Sequence, residues 1–266
     1  MSLYAGPALY ALFVWWFSTG VIIWLDLRPR TFRWAIGVGT ALFGFCLWQL
    51  SAGSADTSVV GTYVAFTAAV LAWGWQEMAF FMGYVTGPRR AGPPDGVSEW
   101  QRFVCGVQAC LWHELAIIAT GAIIIASTWG APNQTGTWTF CLLWAMRQSA
   151  KLNFFLGVLN LGEQFIPPQL AYLSGYLRRR SINLLFPISV TAGTVGIALL
   201  LNRLSEPLSD TAATGLTFLV TMLTLAVIEH WVLILPIPFA RLWDWALALR
   251  KAGRATTATM ETTHGL

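Results

Sequence analysis

The sequence predicts an all-α fold: a polytopic membrane helical bundle of seven transmembrane helices, N-terminus periplasmic and C-terminus cytoplasmic. Three observations predict it. Of 266 residues, 56% are hydrophobic and only 11% charged, whereas soluble domains carry about 25% charged residues. Seven apolar stretches are long enough to cross a bilayer as helices, which takes about 17–25 residues. The arginines fall in alternate connecting segments, as the positive-inside rule requires of cytoplasmic loops.

Taken in order, the stretches cover residues 8–25, 34–50, 59–85, 103–127, 138–160, 184–201 and 214–235. The first has no charged leader and is too long for a cleaved signal peptide, so it reads as a retained span. The second is the shortest. Arg28, Arg30 and Arg33 follow the first stretch, and Arg89, Arg90 and Arg102 follow the third. Arg178, Arg179 and Arg180 follow the fifth; Arg241, Arg250, Lys251 and Arg254 follow the seventh. The alternate loops hold only Arg203. An odd number of spans also puts the termini on opposite sides, so two arguments give one orientation.

Residues 1–250 read as a single transmembrane domain, and 251–266 as a disordered cytoplasmic tail in which His264 is solvated. Segments 164–180 and 239–251 are too short and polar to span; they are expected on the cytoplasmic interface. Trp129 and Trp138 bracket an uncharged outer loop, as an aromatic belt does. The Asn133-Gln134-Thr135 sequon inside that loop reads as incidental.

Several function classes are excluded. A pI near 9.1 follows from the loop arginines and does not indicate nucleic acid; the expected partner surface is the lipid bilayer. Cys46, Cys105, Cys110 and Cys141 lie within apolar stretches without a CxxC pair and read as small hydrophobes. No P-loop, GxSxG, HExxH or dinucleotide fingerprint occurs. No matched pair of broken helices suggests an inverted-repeat transporter.

What remains is a set of polar residues inside the spans. The fifth stretch carries Arg147, Gln148, Lys151, Asn153 and Asn160. Ionisable groups in hydrocarbon cost about 2.5–3.5 kcal/mol each on insertion scales, so they face a bundle interior. Arg147 and Lys151 are four apart and share a helix face. Candidate partners lie on other stretches: Gln76 and Glu77 on the third, His113 and Glu114 on the fourth, Glu229 and His230 on the seventh. At 1.5 Å per residue, Glu77, His113, Lys151 and Glu229 fall about 9–15 Å from the arginine-rich end. Four helices thus place costly residues in one layer, and Arg147 or Lys151 is expected to pair with Glu77, Glu114 or Glu229. Asn153 and Asn160, seven apart on another face, read as cross-helix hydrogen-bonders.

The cluster admits a structural ion-pair network or a ligand site. Within the second, His113, Glu114, Glu229 and His230 have the donor types of a metal site, with iron the lesser expectation. However, His113-Glu114 and Glu229-His230 are adjacent pairs, unlike the Glu-x-x-His spacing that puts both ligands on one face. Alternatively, His113 and His230, each beside a tryptophan, would ligate a tetrapyrrole, with Arg147 and Lys151 meeting its acidic substituents.

The stretch HELAIIATGAIIIASTWGAPNQTGTWTFCLLWAMRQSAKLNFFLGVLNLGEQFIPPQL, with RRRSINLLFPISVTAGT and EHWVLILPIP, resembles the photosynthetic complex assembly protein 2 family of anoxygenic phototrophic bacteria. The resemblance covers about residues 8–250. Its members are multi-spanning inner-membrane proteins encoded near the reaction-centre H subunit gene. It implies a cytoplasmic or intracytoplasmic membrane location and a role in building the reaction-centre–light-harvesting complex or tuning bacteriochlorophyll supply to it. Reaction-centre or light-harvesting subunits, or other assembly factors, are the implied partners. The family has no settled mechanism, so the resemblance brings no catalytic residues; a membrane metalloenzyme or tetrapyrrole-binding protein is the competing expectation.

Overall fold

In the computed structural model, residues 3–26 and 28–246 are described. The tail expected at 251–266, and the last part of the 239–251 segment, lie outside them. The described residues form seven long α-helices: α1 (Ala5–Asp26), α2 (Phe32–Ala52), α3 (Val59–Phe81), α4 (Glu99–Ser127), α5 (Thr135–Leu156), α6 (Leu185–Leu204) and α7 (Asp210–Val232). Six of them are long and apolar enough to cross a membrane. The exception is α5, whose polar residues dilute its hydropathy, although its 22 residues reach about 33 Å. The chain is therefore all-helical, with six apolar helices that fit a multi-pass membrane protein.

Sequence chemistry explains several helix ends. Ser58, Ser98 and Ser209 each accept a backbone N–H from the first turn that follows, satisfying a donor the helix leaves orphaned. At Ser98 the Gln101 side chain returns the bond, completing a capping box. Several boundaries move by three or four residues, and two of these have a glycine behind them. The third span was expected to reach residue 85, but α3 stops at Phe81, and Gly83 takes φ +80° to turn the chain. The fifth was expected to reach residue 160, but α5 ends at Gly157, with φ +121°, a conformation that side chains disfavour.

At the centre α3 touches α1, α2, α4, α5 and α7. Its Ala65, Ala68, Ala69 and Ala72 are buried against Leu50, Ile117 and Phe140, small residues that allow close helix approach. At Gly136 of α5 a Cβ would stand 2.3 Å from Leu50 Cδ2 and 2.9 Å from the Ala65 carbonyl, so only glycine fits that contact. On the other side, Phe66 and Phe218 stack at 4.2 Å beneath Tyr10 and Tyr63. This alanine and aromatic core fills the half of the bundle away from the arginine-rich loops.

The loops at that filled end are stitched together. Asn133 is buried, its backbone N–H donates to Ser54 O, and its side-chain amide donates to Asp56 O at 3.0 Å. That engagement agrees with an incidental sequon. The Asp56 carboxylate accepts the Ser58 backbone N–H, which holds it below the ordinary carboxylate range. Thr211 Oγ1 donates to Thr57 O at 2.6 Å. The four cysteines are free.

At the opposite end the chain folds back under the helices. Residues Pro168–Tyr176 form a 3-10 segment with Leu170 and Tyr176 buried. Gln169 donates to Phe81 O, and Tyr176 donates to Ala91 O. These contacts press the segment against the end of the bundle. A second 3-10 turn, Phe239–Trp243, docks on α1 by reciprocal bonds: Trp16 Nε1 to Leu242 O and Trp243 Nε1 to Trp16 O, both 3.0 Å.

Candidate functional site

Between these two segments the bundle is hollow. A cavity of about 890 Å³ opens among α1, α3, α4, α5 and α7 and is floored by the returning segments. Ligand pockets commonly fall between about 300 and 1,000 Å³. Apolar and aromatic side chains form most of its wall, including Trp15, Trp73, Phe81 and Trp243. Asp26, Glu77, Glu114, Arg147, Lys151 and Glu229 also line it.

The polar residues expected at one depth do meet. Arg147 grips Glu77 through two bonds, Nε to Oε1 at 3.3 Å and Nη2 to Oε2 at 2.9 Å. Lys151 Nζ donates to Glu114 Oε1 at 2.7 Å, and Gln148 donates to the other oxygen of the same carboxylate. The i, i+4 spacing on α5 therefore aims two cations at two different helices, α3 and α4. Glu229 takes a side-chain hydrogen bond from Trp15 and lies within electrostatic reach of Arg147.

The other face of α5 builds a closed network. Asn153 donates to Ser189 Oγ at 3.1 Å and to Ser149 O, while its own carbonyl oxygen accepts from Asn183 at 3.0 Å. Asn183 continues to Gly157 O, and its side-chain oxygen accepts the Leu185 and Phe186 amides that open α6. Ser149 stands 2.8 Å from Ser189 and 2.9 Å from His230 Nε2. His230 Nδ1 donates to Ala226 O at 2.8 Å, while Ser149, with one hydroxyl proton, donates to Ser189 and reaches Nε2 as a donor only by releasing that bond. A continuous run of donors and acceptors results.

Three expectations need correction. His113 does not line the cavity: it is fully buried against Phe80, with ring centroids 4.4 Å apart and Nε2 3.9 Å from Glu77, beyond a hydrogen bond. His230 does reach the wall, but Ser149 and Ala226 already engage both its nitrogens. The two imidazoles thus offer no common ligand position, and their neighbours Trp112 and Trp231 are exposed. The metal candidates His113, Glu114, Glu229 and His230 are also divided: Glu114 is taken by Lys151 and Gln148, and Glu229 by Trp15. Among the described residues no three His, Cys, Asp or Glu side chains converge as a metal site. Asn160, placed beyond α5, shares no helix face with Asn153. It still hydrogen-bonds across to another helix, donating to Val232 O and Leu235 O and satisfying carbonyls that the end of α7 leaves free.

Sequence reasoning missed Asp26. It stands at the end of a span, two residues before Arg28, where the sequence alone gives no sign of burial. In the fold it is 6% exposed, its Oδ1 has no hydrogen-bond partner, and it faces the cavity. Arg28 stacks on Trp24 at 3.9 Å instead of pairing with it. Ser149, Ser189 and Asn183 were also passed over, because a hydroxyl or an amide near a span end carries no signal until its partner is known.

A protein of Rhodobacter capsulatus, "Uncharacterized 30.4 kDa protein in puhA 5′ region", is 39% identical over 246 residues, covering 90% of this chain and 89% of the relative. No solved structure matches. The family described as "Protein of unknown function (DUF3623)" matches residues 1–254. The chain belongs to that family.

Proposed function

We propose that this chain is a membrane factor that helps build the reaction-centre–light-harvesting complex, and that it does so by holding an amphiphilic ligand in the hollow end of its bundle. The observation that carries the reading is the cavity: about 890 Å³, walled by five helices, with charged groups gathered at one level of a mostly apolar wall. A merely structural ion-pair network would close on itself, as the Asn153–His230 network does. The relative's place in the puhA 5′ region supports a photosynthetic role, as does the resemblance to the assembly protein 2 family. Modulation of bacteriochlorophyll supply is the form this role takes if the ligand is a pigment or precursor.

The same reading makes all seven helices spans, with the N-terminus periplasmic in the cytoplasmic or intracytoplasmic membrane. Helix α5 crosses despite its charges because α3, α4, α6 and α7 surround it and the carboxylates of α3 and α4 neutralise its cations. A C-terminal alkaline phosphatase fusion is expected to be inactive; activity would overturn the orientation.

Deleting the gene in a phototrophic host tests the role. Near-infrared absorbance of the assembled complex is expected to fall and to return on complementation. Unchanged accumulation would overturn the assembly role.

A further inference from the structure

The charge balance of the cavity wall narrows the class of ligand, given that the cavity is a ligand site. Three cations line the wall, and each has a carboxylate: Arg147 with Glu77, Lys151 with Glu114, and Arg179 with Glu163 at 3.4 Å near the mouth. Two carboxyl groups, Asp26 and Glu229, are left over. Each lies within electrostatic reach of Glu77, but Glu229 takes the Trp15 hydrogen bond and lies near Arg147, which leaves Asp26 as the acid that the wall does not answer.

Asp26 is the sharper observation. It is 94% removed from solvent, taking its 6% exposure as the remainder, and its Oδ1 accepts no hydrogen bond. Buried polar atoms are nearly always satisfied, so an orphan acceptor facing a cavity asks for a donor from whatever fills it. Surplus carboxylates in a low-dielectric wall need a positive counter-charge or a proton.

The rest of the wall selects an organic cation. The rings around the site already seat cations: Arg147 lies 6.0 Å from the Phe81 centroid and Lys151 5.7 Å from that of Phe80. Aromatic faces attract ammonium groups in this way. A bare metal ion would lack a set of three converging donors, whereas an ammonium can meet separate acceptors through its three N–H groups. The volume and the apolar lining leave room for a long hydrocarbon body.

We infer that the cavity binds a lipophilic primary ammonium, its head held by Asp26 and its body lying against the aromatic wall. An aminolipid headgroup and a free long-chain amine share this chemistry.

The purified full chain in a neutral maltoside detergent can be titrated with an alkylammonium carrying a bromine on its tail, following quenching of tryptophan fluorescence. An alkylsulfonate with the same brominated tail is the control. Saturable quenching by the ammonium is expected, with the sulfonate far weaker. Asp26→Asn is expected to weaken ammonium binding roughly tenfold, the scale of one hydrogen bond to a charged group, while Glu229→Gln leaves it within about twofold. Added phosphatidylethanolamine that competes would identify an aminolipid as the source; failure to compete would identify a free amine. Sulfonate binding as tight as ammonium, unsaturable quenching, or unchanged affinity in Asp26→Asn would overturn the inference and leave protons as the counter-charge. Such a failure leaves the assembly role standing, because the deletion strain reads that role without reference to the ligand.

Discussion

The two faces of α5 solve the same problem in opposite ways. Each carries polar groups into a membrane-length bundle, where unsatisfied polarity is expensive. On one face, Ser149 and Asn153 join Asn183, Ser189 and His230 in a network in which each side chain has a hydrogen-bonding neighbour. No space is left beside Asn153, which is fully buried. On the other face, Arg147 and Lys151 are neutralised by Glu77 and Glu114 but stay 30% and 21% exposed, on a cavity wall. The closed face staples α5 to α6 and α7; the open face holds a chamber with surplus acid in it. On α5, the hydrogen-bonded face is therefore architectural, and the charged face borders the cavity.

Mutations can break or sharpen that contrast. The largest expected effect is Glu77→Leu, which strands Arg147. A loss of about 2–4 kcal/mol is expected, near the low end for a broken buried pair because the guanidinium still faces a cavity. The double variant Glu77→Leu/Arg147→Met should recover most of it, measured by denaturant unfolding in detergent. If the double variant is no more stable than the single one, the pair is not the structural unit described.

Next comes Gly157→Ala on the closed side. The residue would have to keep φ near +121° with its Cβ 2.8 Å from the Arg180 side chain. A loss of about 1–3 kcal/mol is expected from the strained backbone. The Asn183 bond to the Gly157 carbonyl should loosen with it, visible as faster amide exchange at the start of α6.

Asn153→Leu removes the hub of the closed network and should cost about 1–2 kcal/mol, since Asn183 and Ser189 each lose a partner. Probe binding in the cavity should stay as it is. A matching loss of binding would mean that the two faces are coupled.

The smallest stability effect belongs to Asp26→Asn, within about 0.5 kcal/mol of the parent or slightly stabilising, because no protein partner of Oδ1 is lost. Its effect should fall on ammonium binding alone. A drop in stability comparable to Asn153→Leu would show that Asp26 is an architectural residue with an unrecognised partner.

How much was legible in the sequence follows from the range of the forces involved. Span positions depend on local runs of apolar residues, so the helices appear close to where composition puts them. Their ends shifted by up to four residues, and at the ends of α3 and α5 a glycine, Gly83 or Gly157, turned the chain. The pairing of Arg147 and Lys151 with carboxylates was legible too. An i, i+4 pair of cations in an apolar helix must find anions, and few were available at that depth.

Partner identity was not legible. Arg147 had Glu77, Glu114 and Glu229 within plausible reach, and helix packing chose Glu77. His113 and His230 looked alike, each beside a glutamate and a tryptophan. Helix rotation sealed the first against Phe80 and filled the second's ring positions with Ser149 and Ala226. Asp26 sits at a span end, where a carboxylate is usually hydrated, and only the fold-back of residues 163–177 and 237–243 roofs the space it faces. By itself the sequence determined an all-helical, membrane-type chain with a polar layer that had to be neutralised. The tertiary structure decided which of those polar groups satisfy one another and which face an open cavity. Burial and hydrogen bonding are properties of surfaces brought together, and no single segment carries them.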